Sequence, residues 1–161
     1  ALWLVKSAAQ AFFIEQKITP TITDFTSAAD GSTLKRYQGQ LAGQTITLWV
    51  ADIFALSPTA IGDIDAVYDR AALIALPADM RPDYSKQIYK LSNNAPQLLI
   101  TLNYDQSKKD GPPFSISQEQ LQQYYDANYE IIELESQSST LNSAAELSVT
   151  EHVWLLSKNQ D

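Results

Sequence analysis

The stretch QLLITLNY, Gln97 to Tyr104, is apolar almost without interruption and runs into the acidic Asp105. A half-exposed antiparallel strand would alternate apolar and polar side chains, so this run reads as a central, parallel strand covered on both faces. Upstream, Pro82 sits well as the first residue of a helix reaching about Leu91, and Ile64 to Tyr68 reads as a short buried strand leading to Asp69 and Arg70. A helical stretch, Ala71 to Leu76, lies between them. Downstream, a Gly-Pro-Pro loop spans Asp110 to Ile116, and Ser117 with Gln120 forms a capping box for a helix carrying Leu121, Tyr124 and Tyr125 on one face.

Further out the pattern continues. Thr45 to Val50 (TITLWV) is a strong strand candidate, approached through Gly39 and Gly43 and preceded by β-prone Thr21 to Thr26 and Leu34 to Tyr37. Ser57 and Pro58 cap a short helical turn that stops at Gly62. Near the N-terminus Ala8, Ala9, Phe12 and Phe13 recur at helical spacing, and a Ser7/Gln10 capping box predicts a helix through about Gln16, closed by Pro20. Two last strands, Tyr129 to Leu134 and His152 to Leu156, flank a polar stretch expected to be mobile. The order predicts a single α/β domain over residues 1–161, its sheet largely parallel and ending in an antiparallel pair. In such sheets ligands bind outside the carboxyl ends of the strands, where Asp52, Asp69 with Arg70, and Tyr104 with Asp105 all fall.

Composition narrows the function classes. Eleven Lys plus Arg against nineteen Asp plus Glu give a net charge of -8, the wrong sign for neutralising phosphates or anionic lipid, so neither nucleic acid nor membrane is an expected partner. No Cys is present, which excludes disulfides and thiolate chemistry, and with one His a metal site would need carboxylates. Asp63, Asp65, Asp69, Asp79 and Asp83 do not have EF-hand spacing, so no metal is expected. A small-molecule enzyme and an acidic binding module remain.

Several residues read two ways. Arg70 is one of three Arg residues. Its guanidinium at a strand end suits a carboxylate or an electron-rich ring, or else a surface ion pair with Asp69 or Asp65. Asp52 either accepts a hydrogen bond from a ligand or caps the turn that follows, capping being the commoner role for such a position. Phe114, in GPPF (Gly111 to Phe114), is the apolar plug of a lid or part of a rigid turn. His152 reads as a half-exposed strand residue, since no Ser or Asp motif accompanies it. A Gly-rich phosphate-binding turn is missing from the sequence, because Gly39 and Gly43 do not stand between a hydrophobic strand and a helix.

The run DAVYDRAALIALPADMRPDY (Asp65 to Tyr84), followed by LLITLNYDQ (Leu98 to Gln106) and GPPFSIS (Gly111 to Ser117), resembles the bacterial thiopurine S-methyltransferase family. VADIFAL (Val50 to Leu56), VKSAAQAFFIEQ (Val5 to Gln16) and EHVWLL (Glu151 to Leu156) are similar to the same family's third-strand segment, second helix and last strand. The resemblance implies a Rossmann-like class I methyltransferase fold. It also implies S-adenosyl-L-methionine as cofactor and transfer of a methyl group to the thiol or thione sulfur of a small aromatic or heterocyclic compound. Carried over by position, Asp52 and Ile53 match residues bordering the cofactor's adenine, and Arg70 matches a pocket Arg associated with the cofactor and close to the acceptor. Phe114 falls on the acceptor side. No catalytic acid or base is implied, since in-line displacement from a sulfonium needs alignment and dryness more than proton transfer.

The alternatives are methylation of selenium or tellurium compounds on the same fold, linked to resistance to them, or, if the chain is truly this short, a degenerate, non-catalytic binding domain. A cytoplasmic monomer is expected. The family's N-terminal Trp-bearing helix, its cofactor loop and a second strand ending in Glu have no counterpart here. Ala1 to Val5 is apolar from the first residue, with no Met and no leader pattern, so it reads as the middle of a chain. The expectation is of a longer native chain, with an N-terminal block and segments near residues 4 and 145 absent from this sequence.

Overall fold

The computed structural model describes residues 2–141 and 147–159, with the backbone alone for 2–6. The chain divides into two compact units, Ala1–Ile61 and Gly62–Asp161, each described by itself.

The first unit holds helix α1 (Leu2–Glu15) and strands β1 (Thr21–Thr26), β2 (Thr33–Leu41) and β3 (Gln44–Val50). α1 begins upstream of the expected Ser7 cap because the apolar residues before Ser7 continue the helix, leaving Ser7 in its interior. The three strands form an antiparallel meander, β1-β2-β3. Its second turn is two residues long, Ala42 and Gly43 at φ 50° and 80°, the positive pair that a tight hairpin requires. β3, counted from sequence into the largely parallel sheet, therefore pairs antiparallel with β2, because that turn returns the chain directly alongside its predecessor. Gly39 lies inside β2 rather than breaking it: a Cβ there would stand 2.6 Å from Ile18 Cγ2 and 2.9 Å from Phe13 Cε1. Ala9 and Phe13, four residues apart on α1, pack with Tyr37 and Val50 to make the core of this unit.

A 3-10 turn, Ile53–Ala55, and the short helix α2 (Pro58–Ile61) complete that unit. The second contains β4 (Val67–Arg70), a 3-10 turn Leu73–Ala75, α3 (Arg81–Ser92), β5 (Gln97–Tyr104), a 3-10 turn Gln106–Lys108, α4 (Gln118–Tyr125), β6 (Tyr129–Ser139) and β7 (Val149–Lys158). The strand order is β4-β5-β7-β6. β4 and β5 run parallel, whereas β5 with β7 and β7 with β6 run antiparallel. This mixed α/β sheet is less parallel than expected, since one pairing of the three is parallel. The run Gln97–Tyr104 is nonetheless one of its two interior strands, as its apolar continuity predicts.

Gln97, Leu99 and Thr101 turn to one buried face of β5, where Trp154 Nε1 donates to Thr101 Oγ1 at 2.8 Å. α3 reaches the sheet through the Tyr84 hydroxyl on Asp69, the register partner of Leu99, and has Tyr84, Ile88 and Leu91 buried. α4 starts with the expected reciprocal box: Ser117 Oγ accepts from Gln120 N, and Gln120 Oε1 accepts from Ser117 N. β6 runs five residues past Leu134, because pairing with β7 carries polar residues as readily as apolar ones. The polar stretch expected to be mobile thus begins as strand, and its portion 142–146 lies outside the described residues.

Candidate functional site

The carboxyl ends of the parallel pair β4 and β5 gather most of the residues singled out above. β4 alternates, so Asp69 turns inward and is buried while Tyr68 and Arg70 are exposed. The possible ion pair between Asp69 and Arg70 does not form. Asp69 instead accepts a hydrogen bond from the Tyr84 hydroxyl of α3 (2.8 Å to Oδ2). Among the described residues no hydrogen bond or ion pair engages the Arg70 guanidinium. Ala71 follows at φ 66°, a left-handed conformation that costs a residue with a Cβ about 1–2 kcal/mol.

Asp69 is held above the ordinary carboxyl value by burial, and this outweighs the Tyr84 hydroxyl and the amides of Leu73 and Ala72, which favour its charged form. Its other oxygen, Oδ1, is buried and completes no hydrogen bond of good geometry. Burial and the neighbouring Asp69 keep the Tyr84 hydroxyl neutral, and burial with the same charge acts likewise on Tyr125 of α4.

The GPPF loop is tied down on several sides. Phe114 N donates to Ile74 O (2.6 Å), Ile116 N to Leu102 O (2.8 Å), and the Tyr104 hydroxyl to Pro113 O (2.5 Å). Ser115 Oγ accepts from Tyr104 N at 2.9 Å, and Gln106 Oε1 from Ser115 N at 2.8 Å. The Phe114 ring lies over Gly111, where a Cβ would come within 2.5 Å of it, and the guanidinium of Arg81 stands 5.4 Å from its centroid. Arg81 is itself buried, its Nε donating to Leu76 O at 2.9 Å. Of the two readings of this loop, the structure favours the rigid turn. Tyr104 serves the tether, and Asp105 caps the turn Gln106–Lys108 by accepting from Ser107 N and Oγ, so both are occupied structurally.

Asp52 and Ile53 belong to the first unit. Asp52 is exposed and accepts from Phe54 N at 2.9 Å, capping the turn that Ile53 opens. His152, in β7, puts Nδ1 2.7 Å from Glu133 Oε1 and stacks on Trp154, which accords with a strand residue. Among the described residues no group of three or more His, Cys, Asp or Glu side chains converges, and no helix is long and apolar enough to cross a membrane.

Sequence reasoning placed Asp69 at a strand end beside Arg70 and in an acidic cluster, did not foresee its burial against α3, and passed over Arg81 and Tyr84. The signal was present in strand alternation, which sends the residue before an outward-facing Arg inward. In the first unit, the exposed Asp52 carboxylate stands beside the half-buried Ile53, chemistry that suits a purine amine and ring, and in the second the unengaged Arg70 guanidinium has the chemistry to meet a carboxylate or an electron-rich ring.

A mixed sheet with helices against it and an unengaged cation at the end of its parallel strands is the arrangement of an α/β domain, a class in which ligands commonly bind outside the carboxyl ends of strands. The model of the family described as thiopurine S-methyltransferase matches residues 1–159. A thiopurine S-methyltransferase of Psychrobacter cryohalolentis is 61% identical over 155 residues, covering 96% of this chain and 69% of that protein. Those of Teredinibacter turnerae and Xanthobacter autotrophicus are 38% and 35% identical, covering 97% and 96% of this chain and 68% of each relative. The chain belongs to the thiopurine S-methyltransferase family, S-methyltransferases that draw their methyl group from S-adenosylmethionine.

Proposed function

We propose that this protein transfers a methyl group from S-adenosyl-L-methionine to the thiol or thione sulfur of a small aromatic or heterocyclic compound, on a Rossmann-like class I arrangement. The observation that carries the reading is Arg70, exposed and unengaged at the carboxyl end of the parallel pair, on the segment most similar to the family. When bound, the cofactor supplies an electrophilic methyl carbon on a sulfonium centre. The residues that would hold it here are Asp52, Ile53 and Arg70, and the chemistry it would supply is a methyl group for the acceptor sulfur, whose thiol proton would pass to solvent.

The chain's own residues bind and orient. By the family resemblance, Asp52 and Ile53 of the first unit would offer a carboxylate and an apolar side chain to the adenine. Arg70 holds the cofactor close to the acceptor by forked hydrogen bonds or stacking. The tethered GPPF loop presents Phe114 as an apolar wall on the acceptor side that helps exclude water. A soft, acidic thione sulfur needs no strong base, which agrees with assigning none. The expected setting is the cytoplasm, with a monomeric protein and a small-molecule acceptor as its only partner.

Titration of S-adenosylhomocysteine into the purified full chain tests the reading and is expected to saturate. Arg70→Ala weakens that binding by about tenfold or more, the worth of one charged hydrogen bond. Arg36→Ala leaves it unchanged, because Arg36 is spent on the first unit's rings, 4.9 Å from the Phe25 centroid and 5.9 Å from that of Trp49. Equal effects of the two substitutions refute the role of Arg70, and an absence of saturable binding identifies a non-catalytic module.

A further inference from the structure

We propose that Asp69 is a positioning residue for Arg70: tied from inside the unit to Tyr84 of α3, its carboxylate sets the left-handed turn at Ala71 and thereby the direction in which Arg70 leaves β4. The proposal rests on the reading of Arg70 as a cofactor-side or acceptor-side contact.

Three features support it. First, neighbouring strand residues face opposite ways, so anchoring Asp69 inward commits Arg70 outward. Second, the chain turns through Ala71 at φ 66°, a conformation Ala adopts only under constraint from its surroundings. Beyond it the amides of Ala72 and Leu73 lie near enough to the carboxylate to favour its charge, and Leu73 and Ile74 are buried. The turn thus runs from the Asp69–Tyr84 tie into the apolar plug of Leu73 and Ile74, and Ile74 O in turn receives Phe114 N.

Third, stability alone does not explain a carboxylate here. Asp69 is 3% exposed, receives one hydrogen bond from a neutral hydroxyl, has no cationic partner among the described residues, and leaves Oδ1 without a good hydrogen bond. A buried carboxylate so placed costs folding free energy that a neutral amide of the same shape would not. An Asn at this position accepts from Tyr84 equally well, but its amide group presents donors to the backbone N–H groups of the turn, where the carboxylate presents an acceptor. The Asn variant therefore separates folding from positioning.

The test is a double-mutant cycle on the full chain with Asp69→Asn, Arg70→Ala and the pair, reading S-adenosylhomocysteine affinity, thermal midpoint and amide hydrogen exchange at residues 70–73. Asp69→Asn is expected to keep or raise the midpoint, to weaken S-adenosylhomocysteine binding by about tenfold, and to speed exchange in the turn, while Arg70→Ala made on top of it adds little. Restoring an acid as Asp69→Glu recovers part of the affinity. Tyr84→Phe, which leaves the carboxylate but cuts its tie to α3, shifts the same quantities in the same direction by less.

Wild-type affinity in Asp69→Asn, or losses that multiply independently in the pair, overturns the proposal. Failure of the wild-type chain to bind S-adenosylhomocysteine overturns the functional reading instead. In that event exchange at 70–73 decides whether Asp69 holds the turn, and unchanged protection in Asp69→Asn sinks it.

Discussion

Asp69 shows how a single residue trades stability against geometry. Its carboxyl sits above the ordinary value of 3.8 because burial disfavours the charged form more than Tyr84 favours it. Between the unfolded value, near pH 4, and the raised folded value, the folded chain holds a proton that the unfolded chain has released. Stability contributed by this group is therefore fully present below about pH 4 and declines as pH rises through the window. Urea unfolding of wild type and Asp69→Asn at a series of pH values is expected to show wild type losing ground to the variant as pH increases. The opposite slope would mean that the Tyr84 hydroxyl and the turn amides, not burial, dominate at this carboxyl.

At the scale of elements, the loop from Gly111 to Ile116 acts as a strap across the ends of β5 and the Leu73–Ala75 turn. Backbone hydrogen bonds to Ile74 and Leu102 and the Tyr104 hydroxyl on Pro113 hold it, and the Phe114 ring rests on Gly111. Gly111 is needed there twice over: its φ is 49°, and any Cβ would press into the ring. Gly111→Ala is expected to displace Phe114, to cost about 1–3 kcal/mol by urea unfolding, and to raise the acceptor KM more than it lowers kcat if Phe114 is an acceptor wall. An unchanged stability would show that the ring is not seated as described. The α4 capping box belongs to the same scale and was legible in full, because Ser117 and Gln120 satisfy each other within one turn. The start of α1 was not, because a Ser-x-x-Gln spacing also occurs inside a helix and only the residues before it decide which case holds.

At the scale of the whole molecule, family membership and ligand linkage make one common prediction. A ligand that binds the folded chain alone stabilises it by about 2.7 kcal/mol at a hundredfold excess over Kd. S-adenosylhomocysteine at that excess is expected to raise the thermal midpoint by roughly 5–10 °C, read by differential scanning fluorimetry. Arg70→Ala should need a proportionally higher concentration for the same shift. A midpoint that does not move at millimolar ligand refutes cofactor binding by this chain.

The sequence alone determined the family, through Asp65 to Tyr84 and GPPF, and the position of nearly every helix and strand, because helix caps, proline positions and apolar periodicity act over a few residues. It located Arg70 at a strand end and the Gln97–Tyr104 run in the sheet's interior for the same reason. Only the tertiary structure decided that β3 closes a meander, that Asp69 faces Tyr84 instead of Arg70, and that Phe114 is tethered rather than free. Those outcomes depend on partners distant along the chain, 15 residues away for Tyr84 and Asp69 and 53 for Trp154 and Thr101. A buried polar atom takes whichever partner the packing brings to it, and no local propensity encodes that choice.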